Sequence, residues 1–151
     1  MKTSMRLALG TLLVLLLHHL PLSAQTLTPD AQAVQATLLN YLHGNTLGDV
    51  ERFASSLHTT ATLLREDEST GTFGEVPLEA SLDEVRSHAD KHLRRLCRIK
   101  TYTVEDNTAQ AKLVSNYGSW RLVEYANLLK INGQWKIVHV VSNRESTPVA
   151  Q

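Results

Sequence analysis

His88 and His92 stand four residues apart, a spacing that lets two imidazoles on one helix face share a metal ion. No acid of the His-Glu-x-x-His kind and no third ligand accompany them, so an exposed polar helix face accounts for the pair better and no metal is expected. His58 closes a short helical segment. There an imidazole either bonds the last carbonyls of the helix or serves as a ligand or acid–base group. Cys97 is the only cysteine, in the alternating run Leu96-Cys97-Arg98-Ile99, and reads as a packed strand residue. Glu66, Asp67 and Glu68 could supply a carboxylate, but such charged runs are usually solvated. Tyr117 and Trp120 flank Gly118-Ser119 and suit either a pocket rim, an interface or the core. No glycine-rich phosphate loop and no nucleophile elbow is present, and no cofactor is expected.

The elements that must position these residues follow from periodicity and punctuation. Thr28-Pro29-Asp30 is a helix start, with Val34, Leu38, Tyr41 and Leu42 at helical spacing behind it. Gly44-Asn45 and Gly48 end that helix, and Asp49 caps a second, short one carrying Val50, Phe53, Ala54 and Leu57. Thr59 to Leu64 predicts a strand, Glu66 to Gly74 a loop or wide hairpin, and Phe73 to Pro77 a short second strand. Ser81-Leu82-Asp83-Glu84 has the form of a capping box and predicts a third helix reaching Lys91. Four strands follow: Leu96 to Val104, Ala109 to Tyr117, Trp120 to Ile131 and Trp135 to Val141. Asn132-Gly133 is a two-residue hairpin turn, and the tail from Asn143 is expected to fray. Helices ahead of a meander argue for an α+β fold.

Lys2 and Arg6, the apolar run Leu7 to Leu17 and the small pair Ser23-Ala24 have the order of a secretory signal. The run is shorter than the about 20 apolar residues that span a bilayer. Residues 1–24 are therefore expected to be cleaved, leaving 25–151 as one domain with a core over about 30–143. The protein is expected to be exported, periplasmic or secreted, with no stable membrane anchor after cleavage. Removing Lys2 and Arg6 leaves 13 basic residues against 15 acidic ones, so nucleic acid is not an expected partner.

Three segments carry a resemblance. Tyr41-Leu42-His43-Gly44-Asn45-Thr46-Leu47-Gly48-Asp49 resembles the Gly-Asp helix end of the nuclear-transport-factor-2-like (NTF2-like) superfamily. Leu57-His58-Thr59-Thr60-Ala61-Thr62-Leu63 resembles the start of its first strand. The stretch Glu124 to Val138, with Leu128-Leu129-Lys130-Ile131-Asn132-Gly133-Gln134-Trp135-Lys136, is similar to the ending of the bacterial group named putative lumazine-binding proteins, relatives of the SnoaL-like proteins. The resemblance implies a cone-shaped fold with three N-terminal helices on a curved, mainly antiparallel sheet, enclosing a pocket.

Ketosteroid isomerase shares this superfamily, and the resemblance places its functional positions here. The oxyanion-binding tyrosine falls at Tyr41, the general base at Arg65, and the protonated acid at Asn127. A guanidinium cannot abstract a proton, so isomerase activity is not expected. With an unbulged final hairpin, Asn127 pairs with Val138 and shares a face with Tyr125 and Leu129, the face expected to line the cavity. Tyr41, His58, Arg65, Tyr125 and Asn127 are thus the candidate ligand-binding residues. The expected function is binding of a small apolar molecule without catalysis. The alternatives are an isomerase- or dehydratase-type enzyme of the SnoaL-like kind and a homodimeric interaction module. Apolar residues on both faces of the last hairpin favour a homodimer through the sheet.

Overall fold

The computed structural model describes residues 27–67, 70–89, 91 and 95–146. The expected signal segment, Glu68 and His92 lie outside the described residues. Helix α1 runs Pro29–Leu47 and helix α2 Val50–Ser56. Strands β1 (Leu57–Asp67) and β2 (Thr72–Val76) precede helix α3 (Leu78–Arg86). The chain then forms β3 (Leu96–Glu105), β4 (Thr108–Asn116), β5 (Trp120–Ile131) and β6 (Gln134–Ser146). The six strands make one sheet in the order β2-β1-β6-β5-β4-β3, with β1 and β6 parallel and every other pair antiparallel. Among the described residues no helix is long and apolar enough to cross a membrane.

Local chemistry sets these boundaries. Thr28 Oγ1 accepts from the Ala31 amide at 3.2 Å and Pro29 opens α1. Gly48, at φ 72°, closes the helix in the left-handed conformation that glycine adopts without a Cβ penalty. Asp49 caps α2 by accepting from the Arg52 amide at 2.9 Å. Gly44 lies inside α1 instead of ending it, because its role is close packing: a Cβ there would come 2.5 Å from the Phe53 nitrogen. Backbone contact between α1 and α2 sets the Phe53 ring on Tyr41, with centroids 4.9 Å apart.

Several expectations shift. Helix α3 starts after Pro77 with no side-chain cap, and Ser81 sits within the helix on its buried side. Proline has already started the helix four residues earlier, so Ser81 is an inward side chain and not a cap. The helix stops at Arg86, short of Lys91. Strand β1 continues to Asp67 because β2 pairs with it across a tight turn, Asp67 opposite Thr72. Strand β6 continues to Ser146, where Arg121 Nη2 meets Glu145 Oε2 at 2.6 Å and holds the end expected to fray.

The core lies on the sheet face covered by the helices. Val34, Leu38, Tyr41 and Leu42 of α1 meet Ala109, Ala111 and Leu113 of β4, Ala126 and Leu128 of β5, and Trp135, Ile137 and Val140 of β6. Asp30 ties the start of α1 to the last hairpin, accepting from Lys130 Nζ at 2.7 Å and Trp135 Nε1 at 3.0 Å. A Cβ on Gly48 would meet the Ala89 nitrogen at 2.2 Å, and its φ is positive. We predict that Gly48→Ala loses roughly 2 kcal/mol or more of stability, from strain and from separation of α1 and the α3 end. Urea unfolding that matches the wild type would contradict this packing.

Candidate functional site

The inner face does not close completely. Between α1, α3 and the ends of β1, β5 and β6 lies a cavity of ≈ 250 Å³. Its walls are apolar, formed by Phe53, Leu63, Val76, Val85, Leu122 and Val140. Its floor is polar. Tyr41, from the buried stripe of α1, donates its hydroxyl to Glu124 Oε1 at 2.7 Å. Both residues are buried, at 4% and 3% exposure. No other side chain among the described residues bonds the Glu124 carboxyl. Ser81 of α3 also borders the cavity, and its buried hydroxyl has no hydrogen-bond partner among the described residues.

Burial raises the affinity of Glu124 for its proton, while the Tyr41 hydroxyl and the charges of Arg65 and Arg95 pull the other way. Burial, then the neighbouring Glu124, pushes the Tyr41 phenol well above its ordinary range, so it remains a donor. Buried polar groups cost free energy unless satisfied, and three of them converge on one small space.

The rim is built from aromatic and guanidinium groups. Tyr117 and Trp120, at the two ends of the β4–β5 turn, stack at 3.8 Å with planes 8° apart. Gly118, at φ 94°, lets the chain reverse between them. Arg95 donates to the Tyr117 hydroxyl at 2.5 Å, to Thr46 Oγ1 at 3.1 Å and to Asn45 Oδ1 at 3.1 Å. It thereby ties this turn to the end of α1. The Arg144 guanidinium lies 4.0 Å over the Trp120 ring. On the opposite side Arg65 Nη1 meets Glu84 Oε2 of α3 at 3.0 Å.

The structure brings together two of the five candidate residues. Tyr41 is on the floor and Arg65 on the rim. Asn127 and Tyr125 are not at the cavity. The helices cover the face of β5 that carries Leu122, Glu124, Ala126 and Leu128, so Asn127 and Tyr125 point from the opposite face. The last hairpin is bulged: Leu129 pairs with Lys136 as expected, but Asn127 pairs with His139 and not Val138. His58 does not border the cavity. Its Nδ1 accepts from the Thr60 amide at 3.3 Å and lies 2.8 Å from Thr60 Oγ1, so it bonds within its own strand and not to helix carbonyls. His88 Nδ1 meets the Asn45 carbonyl at 2.9 Å and pins the end of α3 to α1. Cys97 is half-buried beside Thr46 Oγ1 at 3.3 Å. Glu66 borders the cavity, whereas Asp67 does not. Among the described residues no group of three His, Cys, Asp or Glu side chains could hold a metal ion.

Glu124, Ser81, Glu84, Arg95 and Arg144 are the residues that sequence reasoning missed. The signal for Glu124 was present: an acid occupying an inward position of the alternation Leu122, Ala126, Leu128.

The fold is that of NTF2-like proteins. An NTF2-like protein of unknown function from Shewanella baltica superposes with a TM-score of 0.70 at 18% identity, over 81% of this chain and 100% of that one. Another, from Methylobacillus flagellatus, does so at 0.69 and 20% identity, over 81% and 97%. A putative ketosteroid isomerase from Shewanella frigidimarina superposes at 0.55 and 18% identity, over 73% and 94%. None of the curated proteins matches. The family profile described as putative lumazine-binding matches residues 29–141, and the chain belongs to that family.

A carboxyl that holds its proton more tightly when folded favours the folded state at low pH. That contribution is full below the ordinary value of 4.5 and is lost as pH rises through the raised value. Glu124→Gln should therefore flatten the fall in stability above pH 4.5 relative to the wild type. Urea midpoints measured across that range read the difference, and parallel curves would show that Glu124 does not titrate in this way.

Proposed function

We propose that the chain is an exported small-molecule-binding domain that holds its ligand in the cavity over Tyr41 and Glu124 without chemical turnover. One observation carries this reading: an apolar-walled cavity whose floor holds a buried acid–phenol pair and a Ser81 hydroxyl with no hydrogen-bond partner among the described residues. An ordinary core would exclude such groups, whereas a ligand with a hydrogen-bonding edge uses them. Arg65 stands where the resemblance puts a catalytic base and is engaged with Glu84, which favours binding over proton abstraction.

Lumazine, the molecule in the family's description, is a flat ring with such an edge and is the first probe. It should bind the wild type, and Tyr41→Phe or Glu124→Gln should weaken it about tenfold, a loss of about 1.4 kcal/mol. Titration calorimetry checks this. Native mass spectrometry of protein from its own host should show a bound small molecule and a chain shortened by 24 residues. A chain that carries no added mass and gives no heat with millimolar lumazine would argue against the binding reading.

The outer sheet face supports a second element of the proposal, association with another copy. Tyr125 and Leu129 are 46% and 40% exposed on β5, the strand of the buried Val123, next to Val114 of β4. A solvent-facing sheet surface is ordinarily polar. We expect a dimer by light scattering and a monomer for Tyr125→Glu. A wild type that stays monomeric at high concentration would remove this element.

A further inference from the structure

The number of hydrogens on the cavity floor decides which ligands it can hold, an inference that rests on the binding reading above. The rim favours neither sign of charge. Arg65 is held by Glu84 at 3.0 Å, Arg144 lies over the Trp120 ring, and Glu66 and Glu124 also border the cavity. Recognition therefore falls to neutral hydrogen-bonding groups, and the floor is where such groups are buried.

Glu124 has one neighbour that shares its hydrogen bonds. Across the sheet it lies between the apolar Leu113 of β4 and Ser142 of β6, whose hydroxyl donates to the Leu64 carbonyl at 3.2 Å. Tyr41 of α1 donates to Oε1 at 2.7 Å. The other charged and titratable groups around the cavity are engaged elsewhere or make no bond to the carboxyl. Arg65 and Glu84 hold each other, Arg95 is on the Tyr117 hydroxyl, and His88 is on the Asn45 carbonyl. Glu66 and Arg144 border the cavity without bonding Glu124.

With Glu124 ionised, the pair holds one hydrogen, that of Tyr41, and spends it internally, so it presents only lone pairs to the cavity. With Glu124 protonated, the pair holds two and one is left over, whichever oxygen carries it, so the floor presents a donor. The Ser81 hydroxyl, with no hydrogen-bond partner among the described residues, donates or accepts and suits either case. Burial moves the change above the 4.5 of an ordinary glutamate. We propose that the Tyr41–Glu124 pair selects ligands by the direction of their hydrogen bond and that one proton on the pair reverses the choice: neutral carbonyl acceptors when it is protonated, neutral N–H or O–H donors when it is ionised.

Two neutral bicyclic probes of one shape test this by calorimetry from pH 4.5 to about pH 8. Coumarin is a lactone that only accepts, and 2-quinolone is the lactam with an N–H in place of the ring oxygen. At the acid end the two should bind comparably. As pH rises coumarin should weaken and 2-quinolone hold, until the lactam is favoured about tenfold or more. In Glu124→Gln the amide supplies the outward donor at every pH, so the ratio should stay at its acid value, with circular dichroism showing that the variant is folded. The wild type alone gives a second test. Within the transition coumarin binding should draw a proton from the buffer, seen as a heat that varies with buffer ionisation enthalpy. A wild-type ratio constant with pH, coumarin that fails to bind at the acid end, or heats independent of buffer overturns the proposal and leaves the binding reading intact. A rise that persists in folded Glu124→Gln assigns the effect to another group, such as His88, and overturns it too. Binding of lumazine but neither probe has the same consequence, whereas failure of all three removes the binding reading itself.

Discussion

The hydrogen bond between Tyr41 and Glu124 is the constraint around which the rest is arranged. It joins residues 83 positions apart, one on the first helix and one in the middle of the sheet. Neither group would be buried alone without a large desolvation cost. Together they satisfy one donor and one acceptor and leave the second carboxyl oxygen for another partner. Tyr41 reaches Glu124 because α1 packs on the inner face of the sheet, where Val34 and Leu38 share one core with Ala126 and Leu128. The small Ala109, Ala111 and Ala126 let the helix approach the sheet. The apolar core therefore serves as the ruler that sets a polar distance.

The same logic explains why the sheet face is open at one end. Along β5 the inward residues change from Leu128 and Ala126 to Glu124, Leu122 and Trp120, while α1 ends at Leu47. Past that point the short α3, nine residues long, and Phe53 of α2 border the inner face. The uncovered space becomes the cavity. Its rim is then stiffened by contacts that cross the opening: Arg95 to Tyr117 on one side and Arg65 to Glu84 on the other.

Much of the framework was legible. Capping residues at Thr28 and Asp49, the Asn132-Gly133 turn, where both residues have positive φ, and alternating strands gave the elements in order. The resemblance carried by residues 41–49, 57–63 and 124–138 pointed to the family that the whole chain matches. The site was legible only in part. Tyr41 lies on a helix whose apolar stripe shows which side is buried, so its direction was readable. The acid lies on a strand, where an error of one position reverses the face. Asn127 and Tyr125 were placed inward by alignment, although the alternation of Leu122, Ala126 and Leu128 marks the other face as buried. Ser81 was hidden for another reason. Its neighbours form a plausible capping box, and local chemistry could not reveal that Pro77 had already begun the helix.

That contrast locates the information. Helix ends and hairpin turns depend on groups a few residues apart, so a sequence shows them directly. A buried polar site depends on which phase of a strand meets which turn of a helix, and that is set by packing across the whole chain. The useful local sign is an inconsistency: an ionisable side chain in an otherwise apolar phase, as Glu124 is on β5. Such a residue destabilises the fold unless a partner waits for it, and here the partner is the one tyrosine of the α1 stripe. The remaining capacity of that pair, together with the Ser81 hydroxyl, faces a space that the protein leaves unfilled. A fold that keeps polar groups dry without satisfying all of them would be stabilised further by any molecule that completed them.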